Sequence, residues 1–164
     1  MLPPKLILAP VDFSDPSHQA MNVAADMAAR LGAELLLVHV VPAIQDLPAD
    51  VSILKERSYD EGLTADAAKH LSDLAASLAP KNVKVRTEIG TANDVGMELV
   101  RSAEHNNADM VVIATHGMTG WRKFAFGSVA EIVVKQATCP VLLLRANPAA
   151  HAGSDSRSAS VASS

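Results

Sequence analysis

Residues 5–16 read KLILAPVDFSDP, and this stretch decides the fold. A short apolar run, Lys5 to Val11, comes directly before Ser14 and Pro16, which are typical of the start of a helix. Apolar residues then recur every three or four positions until Gly32, which is suited to the left-handed end of a helix. The stretch therefore predicts a strand followed at once by a helix. The predicted buried face of that helix contains Ala20, Val23, Ala24, Met27, Ala28 and Leu31.

The alternation of strand and helix continues along the chain. Glu34 to Val41 is nearly continuous in Leu and Val, as in a parallel strand covered on both faces. A long helix is predicted from about Lys55 to Ala79. Residues 83–89 mix apolar and charged side chains, which is typical of an edge strand, and Thr91 is predicted to cap the next helix. The apolar stripe of the long helix is Leu63, Ala67, Leu71, Leu74 and Leu78.

The last elements complete a five-stranded pattern. Met110 to Ala114 is the predicted fourth strand, Ser128 to Gln136 the fourth helix and Val141 to Leu144 the fifth strand. Strands and helices at this spacing indicate an α/β fold: an open, doubly wound, Rossmann-like parallel sheet with about four helices on its two faces. Residues 146–164 are rich in Ala and Ser, so we predict one domain, 1–145, and a disordered tail.

Amino-acid composition disfavours several classes of function. The 164 residues contain 14 Lys and Arg against 18 Asp and Glu, and the net charge of −4 disfavours a nucleic-acid partner bound through its phosphates. No apolar run approaches the ~20 residues of a membrane span. The single cysteine, Cys139, cannot form an internal disulfide, which suits a reducing, cytoplasmic setting.

In an open parallel sheet, ligands bind beyond the carboxyl ends of the strands, where the strand order reverses. Neither a dinucleotide fingerprint, nor a P-loop, nor a nucleophile elbow occurs in the chain. A glycine-bearing loop does end at Gly127-Ser128, where a helix is predicted to begin. Free backbone N–H groups, the helix dipole and the serine hydroxyl favour an anion there, so this loop is a candidate phosphate site.

Five short segments stand out when the chain is read from about residue 5 to 145. They are Pro10-Val11-Asp12-Phe13-Ser14, His39-Val40, Ala114-Thr115-His116-Gly117, Gly127-Ser128-Val129-Ala130-Glu131 and Cys139-Pro140-Val141-Leu142. Taken together and in this order, these motifs resemble those of the universal stress protein family. The resemblance implies the strand order 3-2-1-4-5, which makes the first and fourth strands neighbours.

The resemblance also implies a function: binding of ATP with Mg²⁺, in a stress-response sensor or adaptor with at most slow hydrolysis and no dedicated catalytic residue. Asp12 would contact the adenosine, Val40 the adenine, and the glycine loop the phosphates, which with water would hold the ion. The implied site consists of Pro10, Val11, Asp12, Val40, Ala114, Thr115, His116, Gly117, Gly120, Gly127, Ser128 and Val129.

Several alternatives stay open. Ala114 stands where the family's nucleotide-binding pattern has its first glycine, so the site could have decayed in a protein that works as an interaction module. Asp12 could serve only its own turn, and Gly127-Ser128 could be an ordinary helix start. A hydrolytic triad of Asp12, His116 and Ser128 is disfavoured because no separate oxyanion hole is evident.

Two surfaces could serve protein partners. The aromatic segment Trp121 to Phe126 is either core packing or an exposed patch that recruits a protein partner. The resemblance places Val141–Leu144 at the edge of the sheet, where pairing with a second copy would cover it, so we predict a homodimer. His39, on a buried strand, is predicted to be a hydrogen-bonded core histidine.

Overall fold

The computed structural model describes residues 3–43, 53–115 and 127–145. The predicted tail, 146–164, lies outside the described residues. Five strands form one parallel sheet in the order β3-β2-β1-β4-β5, which confirms the doubly wound α/β fold. In chain order the elements are β1 (Leu6–Pro10), α1 (Asp15–Leu31), β2 (Glu34–Pro42), α2 (Ile53–Ser77), a short 3-10 helix (Ala79–Lys81), β3 (Val85–Ala92), α3 (Val95–His105), β4 (Met110–Ala114), α4 (Ser128–Gln136) and β5 (Val141–Leu144).

Both ends of α1 follow from the sequence. The Ser14 side chain accepts a hydrogen bond from the Ser17 N–H, and Pro16 lies in the first turn. At the other end Gly32 has φ 68°, and its N–H donates to Ala28 O. These contacts satisfy backbone groups that a helix end leaves unpaired, which is why α1 begins and ends at these residues.

The buried face of α1 differs from the prediction at two positions. Val23 is 37% exposed and Leu31 is 43% exposed, although both were expected in the core. Ser17, Met21 and Ala25 are buried in their place. The helix packs through a stripe centred on small residues. Val23 lies about a third of a turn away from that stripe and faces solvent, whereas Leu31 is the last residue of the helix. The predicted stripe of α2 is likewise too long, because Leu63 is 38% exposed.

The start of α3 is also corrected. Thr91 does not cap this helix, because it lies in β3 opposite Val41. Pairing with β2 carries β3 on to Ala92, whose carbonyl accepts a hydrogen bond from the Ala43 N–H at 3.0 Å. The cap is Asp94, which accepts from the Met97 N–H at 2.9 Å. Strand pairing therefore overrides the local capping signal.

The sheet lies between two helical layers. One core cluster joins alternate residues of the central strands to α3 and α4, and a second joins the remaining residues to α1 and α2. Within the described ranges, no helix has the length and apolar character needed to cross a bilayer. The largest fully buried side chains are Ile7, Leu8, Leu35, Leu36, Leu37, Leu71, Leu78, Val38, Val111, Val112 and Val133.

Candidate functional site

The candidate site lies where β1 and β4 end side by side. These strands are parallel neighbours, with Leu8 opposite Val111, so their carboxyl ends meet at one edge of the sheet. The chain turns from β1 into α1 and, after β4, reaches α4 in the opposite helical layer. The sheet order thus reverses direction at this point, which is where open α/β sheets form ligand crevices.

Asp12 lies in the turn between β1 and α1 and bonds to its own neighbours. Its Oδ1 accepts hydrogen bonds from the Ser14 N–H at 3.1 Å and from the Ser14 hydroxyl at 2.5 Å. The Asp12 N–H in turn lies 3.3 Å from the hydroxyl oxygen of Ser17. The structure therefore contains the local contacts expected of an Asx turn, and these contacts fix the carboxylate at the head of α1.

Phe13, which follows Asp12, has an unusual backbone conformation. Its φ is 62°, a left-handed value that a bulky side chain rarely adopts. The ring lies 4.5 Å from the His39 ring and 5.7 Å from the His70 ring, measured between centroids. His39 is half-buried and hydrogen-bonded to Val11, as expected of a core histidine. Nothing in the local sequence signals the strain at Phe13, because it depends on β2 and α2.

At Val40 the backbone, not the side chain, faces the candidate site. The side chain is only 6% exposed and packs in the core beneath α3 and α4. In β2 the backbone groups of alternate residues face β1, as shown by the bonds from Glu34 N–H to Lys5 O and from Val11 N–H to Val38 O. Val40 belongs to this set, yet β1 pairing ends opposite Val38. Its N–H and C=O therefore point into the space beyond the end of β1.

Ala114, at the position of the missing glycine, is an ordinary strand residue. It pairs with Leu144, and its φ is not among the positive values of the described residues. Because side chains alternate along a strand, its methyl lies on the same face as Val112, in the α1 layer. The methyl therefore points away from the layer that contains α4.

Thr115 and Gly127 bring together the ends of the loop between β4 and α4. The Thr115 N–H donates to Leu144 O at 2.8 Å, and the Gly127 N–H donates to Thr115 O at 2.7 Å. The Gly127 amide is thus engaged within the protein and is not available to a phosphate. His116, Gly117, Gly120 and the aromatic segment Trp121 to Phe126 lie outside the described residues.

The N-terminus of α4 presents the amides that remain. Gly127 is the N-cap and contributes no side chain, while Ser128 is the first helical residue and is exposed. The first bond within the helix runs from the Glu131 N–H to Gly127 O. The amides of Ser128, Val129 and Ala130 accordingly have no acceptor within the helix, and they lie at the positive end of its dipole, which favours an anion. Ala130 was not among the predicted site residues, although a helix start at Ser128 implies it.

The carboxylate in the first turn of α4 is paired with a lysine of the same helix. Glu131, in the first turn, bonds to Lys135 at 2.6 Å, and this hydrogen bond lowers the pKa of the carboxyl. Among residues 3–43, 53–115 and 127–145, no group of three or more His, Cys, Asp or Glu side chains is arranged to hold a metal ion.

Known proteins resemble the chain over most of its length. The model of the universal stress protein family matches residues 4–145. A universal stress protein of Methanocaldococcus jannaschii is 35% identical over 145 residues, which cover 86% of this chain and 82% of the relative. The solved structure of the hypothetical protein MJ0577 superposes with a TM-score of 0.76 at 25% identity, covering 90% of this chain and 99% of that one.

Two further solved structures contain nucleotides. A universal stress protein in complex with cAMP has a TM-score of 0.65 at 17% identity and covers 87% of this chain and 97% of its own. The universal stress protein of Archaeoglobus fulgidus in complex with dAMP has a TM-score of 0.60 at 21% identity and covers 87% of this chain and 98% of its own. At this level of identity both structures support the fold alone.

Proposed function

Because the chain belongs to the universal stress protein family, we propose that it binds an adenine nucleotide, ATP with Mg²⁺, beyond the ends of β1 and β4. In this proposal it works in the cytoplasm as a stress-response sensor or adaptor. One observation carries the proposal: two sets of backbone groups without ladder or helix partners, at Val40 and at the start of α4, belong to the same edge of the sheet. The backbone groups of Val40 suit an adenine base, and the first amides of α4 suit a phosphate.

The phosphates would bind at the N-terminus of α4. The amides of Ser128, Val129 and Ala130 supply three N–H donors at the positive end of the helix dipole, and the exposed Ser128 hydroxyl adds a fourth. Gly127 has no Cβ to obstruct the approach of a phosphate. Its own amide, bonded to Thr115, holds the loop end in place and does not contact the ligand.

The adenine would bind against β2. The Val40 N–H is a donor and the Val40 C=O an acceptor, and an adenine edge offers a ring nitrogen acceptor beside an amino donor. The pairing uses backbone groups, so the side chain at this position can stay in the core. Two structures of universal stress proteins contain adenine nucleotides, cAMP and dAMP, and we carry this ligand class over to the present chain as part of the proposal.

Chemistry at the bound nucleotide would be slow. Fast phosphoryl transfer uses a base or a water-positioning group together with a cation on the transferred phosphate. The charged side chains of α4 itself, Glu131 and Lys135, pair with each other. We therefore expect ATP to act as a bound signal, with turnover far below that of a dedicated ATPase.

Calorimetric titration with ATP, with and without Mg²⁺, tests the proposal. The decisive variant is Gly127→Asp. Gly127 has φ −60° and ψ 146°, which an aspartate N-cap adopts readily, so its carboxylate would bond to the amides of α4 and occupy the phosphate position. We expect nucleotide binding to be lost while the melting temperature stays the same or rises.

Gly62→Asp is the matched control for this experiment. It adds the same charge to α2, where no atom lies within 4 Å of the added Cβ, so binding is expected to be unchanged. A flat titration of the unmodified protein would instead support the interaction module with a decayed site.

We also propose that the free edge of β5 pairs with a second copy. All four residues of Val141–Leu144 are half-buried, and the strand lies at the end of the sheet. The Val111 N–H donates to Pro140 O and the Thr115 N–H donates to Leu144 O. The backbone groups of even-numbered residues of β5 therefore face β4, and the Leu143 N–H faces outward. Leu143→Pro would remove an outward donor without breaking the β4 ladder. We expect a dimer for the unmodified chain and a folded monomer for this variant in sedimentation equilibrium.

A further inference from the structure

Val11 is the residue at which β1 leaves the sheet. Its N–H still donates to Val38 O at 2.8 Å, as in a continuing parallel ladder. The next ladder bond would run from the Val40 N–H to Val11 O. That bond is not formed, although both residues belong to the described part of the chain.

The His39 side chain forms a hydrogen bond with the Val11 carbonyl instead. Its Nδ1 lies 2.7 Å from Val11 O, and because a carbonyl oxygen only accepts, Nδ1 carries the proton and donates. Leu35 and Leu37 lie in the α1 and α2 layer, so alternation places the His39 side chain on that face as well. The bond therefore draws the Val11 carbonyl out of the plane of the sheet, away from Val40.

The same ring supports the turn that follows. Phe13 packs against His39 at 4.5 Å between ring centroids while its φ is 62°. A non-glycine residue holds such a conformation only when its surroundings impose it. His39 thus contacts the chain on both sides of Asp12, through the Val11 carbonyl and through the Phe13 ring.

We infer that His39 is a positioning residue for nucleobase binding: it keeps the backbone N–H and C=O of Val40 open. The inference takes its ligand, the nucleobase, from the proposed function. The contact between His39 and Val11 does not depend on that function. Without the imidazole donor, Val11 O can return to the Val40 N–H, which extends β1 by one ladder bond and closes the edge that would contact the base.

Amide hydrogen exchange, followed by NMR in the absence of ligand, tests the geometry. In the unmodified protein the Val40 amide should exchange at least about tenfold faster than the Val38 amide, since tenfold corresponds to about 1.4 kcal/mol, the scale of one hydrogen bond. In His39→Leu the Val40 amide should become protected by a similar factor. His39→Asn, whose side-chain N–H₂ can reach the same carbonyl, should restore fast exchange.

Titration with two probes tests the role in binding. His39→Leu should weaken ATP binding about tenfold, one hydrogen bond's worth. Binding of inorganic tripolyphosphate should not change, because this probe needs only the N-terminus of α4. His39→Asn should recover ATP binding. A purely structural role for His39 would lower both affinities together, with no preference for the base.

His70→Leu is the matched control. His70 also contacts Phe13, with ring centroids 5.7 Å apart, but the bond to Val11 O comes from His39. Its replacement should leave Val40 exchange and the ATP affinity unchanged. The inference is overturned if His39→Leu changes neither Val40 exchange nor the ATP to tripolyphosphate preference, or if it lowers both affinities equally. Failure of the unmodified protein to bind ATP would overturn the proposed function, while the exchange experiment would still decide the role of His39.

Discussion

The contact between α3 and α4 gives a quantitative prediction at Gly96. A Cβ added to Gly96 would lie 2.7 Å from Ile132 Cβ, 2.9 Å from its Cγ2 and 3.0 Å from its Cδ1. Carbon atoms in good contact are about 3.5–4.0 Å apart. The nearest atom is a Cβ fixed to the backbone of α4, so a side-chain rotation cannot relieve the clash and the two helices must move apart.

Gly96→Ala should therefore destabilise the protein despite the higher helix propensity of alanine. Overpacking in a closely packed contact costs about 1–3 kcal/mol. The propensity gain on replacing a helical glycine is at most about 1 kcal/mol. Subtracting the full gain leaves a net loss of up to about 2 kcal/mol. Each kcal/mol lowers the melting temperature by about 2–4 °C for a chain of this size.

Urea unfolding followed by circular dichroism measures this effect. Gly62→Ala is the matched control, because Gly62 is also helical but has no atom within 4 Å of the added Cβ. It should stabilise the protein by about 0.5–1 kcal/mol. Shortening Ile132 to Ala retains its Cβ and should not remove the Gly96→Ala penalty. If Gly96→Ala stabilises the protein as much as Gly62→Ala does, the steric reasoning is wrong.

Three further predictions follow from single residues. Ala114→Gly should change the ATP affinity by less than about twofold in calorimetry, because the methyl causes no backbone strain and points away from α4. The hydrogen bond from Lys84 lowers the pKa of Glu34 below 4.5, so this pair stabilises the fold above that pH. The stability advantage over Glu34→Gln should fade as the pH falls below 4.5 in urea titrations, and an advantage that grows in acid would contradict the sign. Burial raises the pKa of the Cys139 thiol, so iodoacetamide should react more slowly with the folded protein than with the protein in urea at pH 8, and equal rates would show that the thiol is not shielded.

The strands and most helix ends could be predicted because their signals are local. β4, β5 and α4 have the predicted limits, and Ser14 and Gly32 cap α1 as expected. An apolar run or a capping residue expresses its preference within a few positions, whatever the rest of the chain does. Thr91 failed as a cap because pairing with β2 extended β3 beyond it.

The candidate site was predicted as a list of residues, but the atoms that face a ligand could not be. The sequence by itself determined an alternating α/β chain with a turn at Asp12 and a helix start at Ser128. Only the tertiary structure decided that the Gly127 amide bonds to Thr115, that His39 bonds to the Val11 carbonyl, and that the Val40 N–H forms no ladder bond with Val11. Each of these outcomes is a competition for one donor or acceptor between residues brought together by strand order and register, and that competition is settled only when the sheet has assembled.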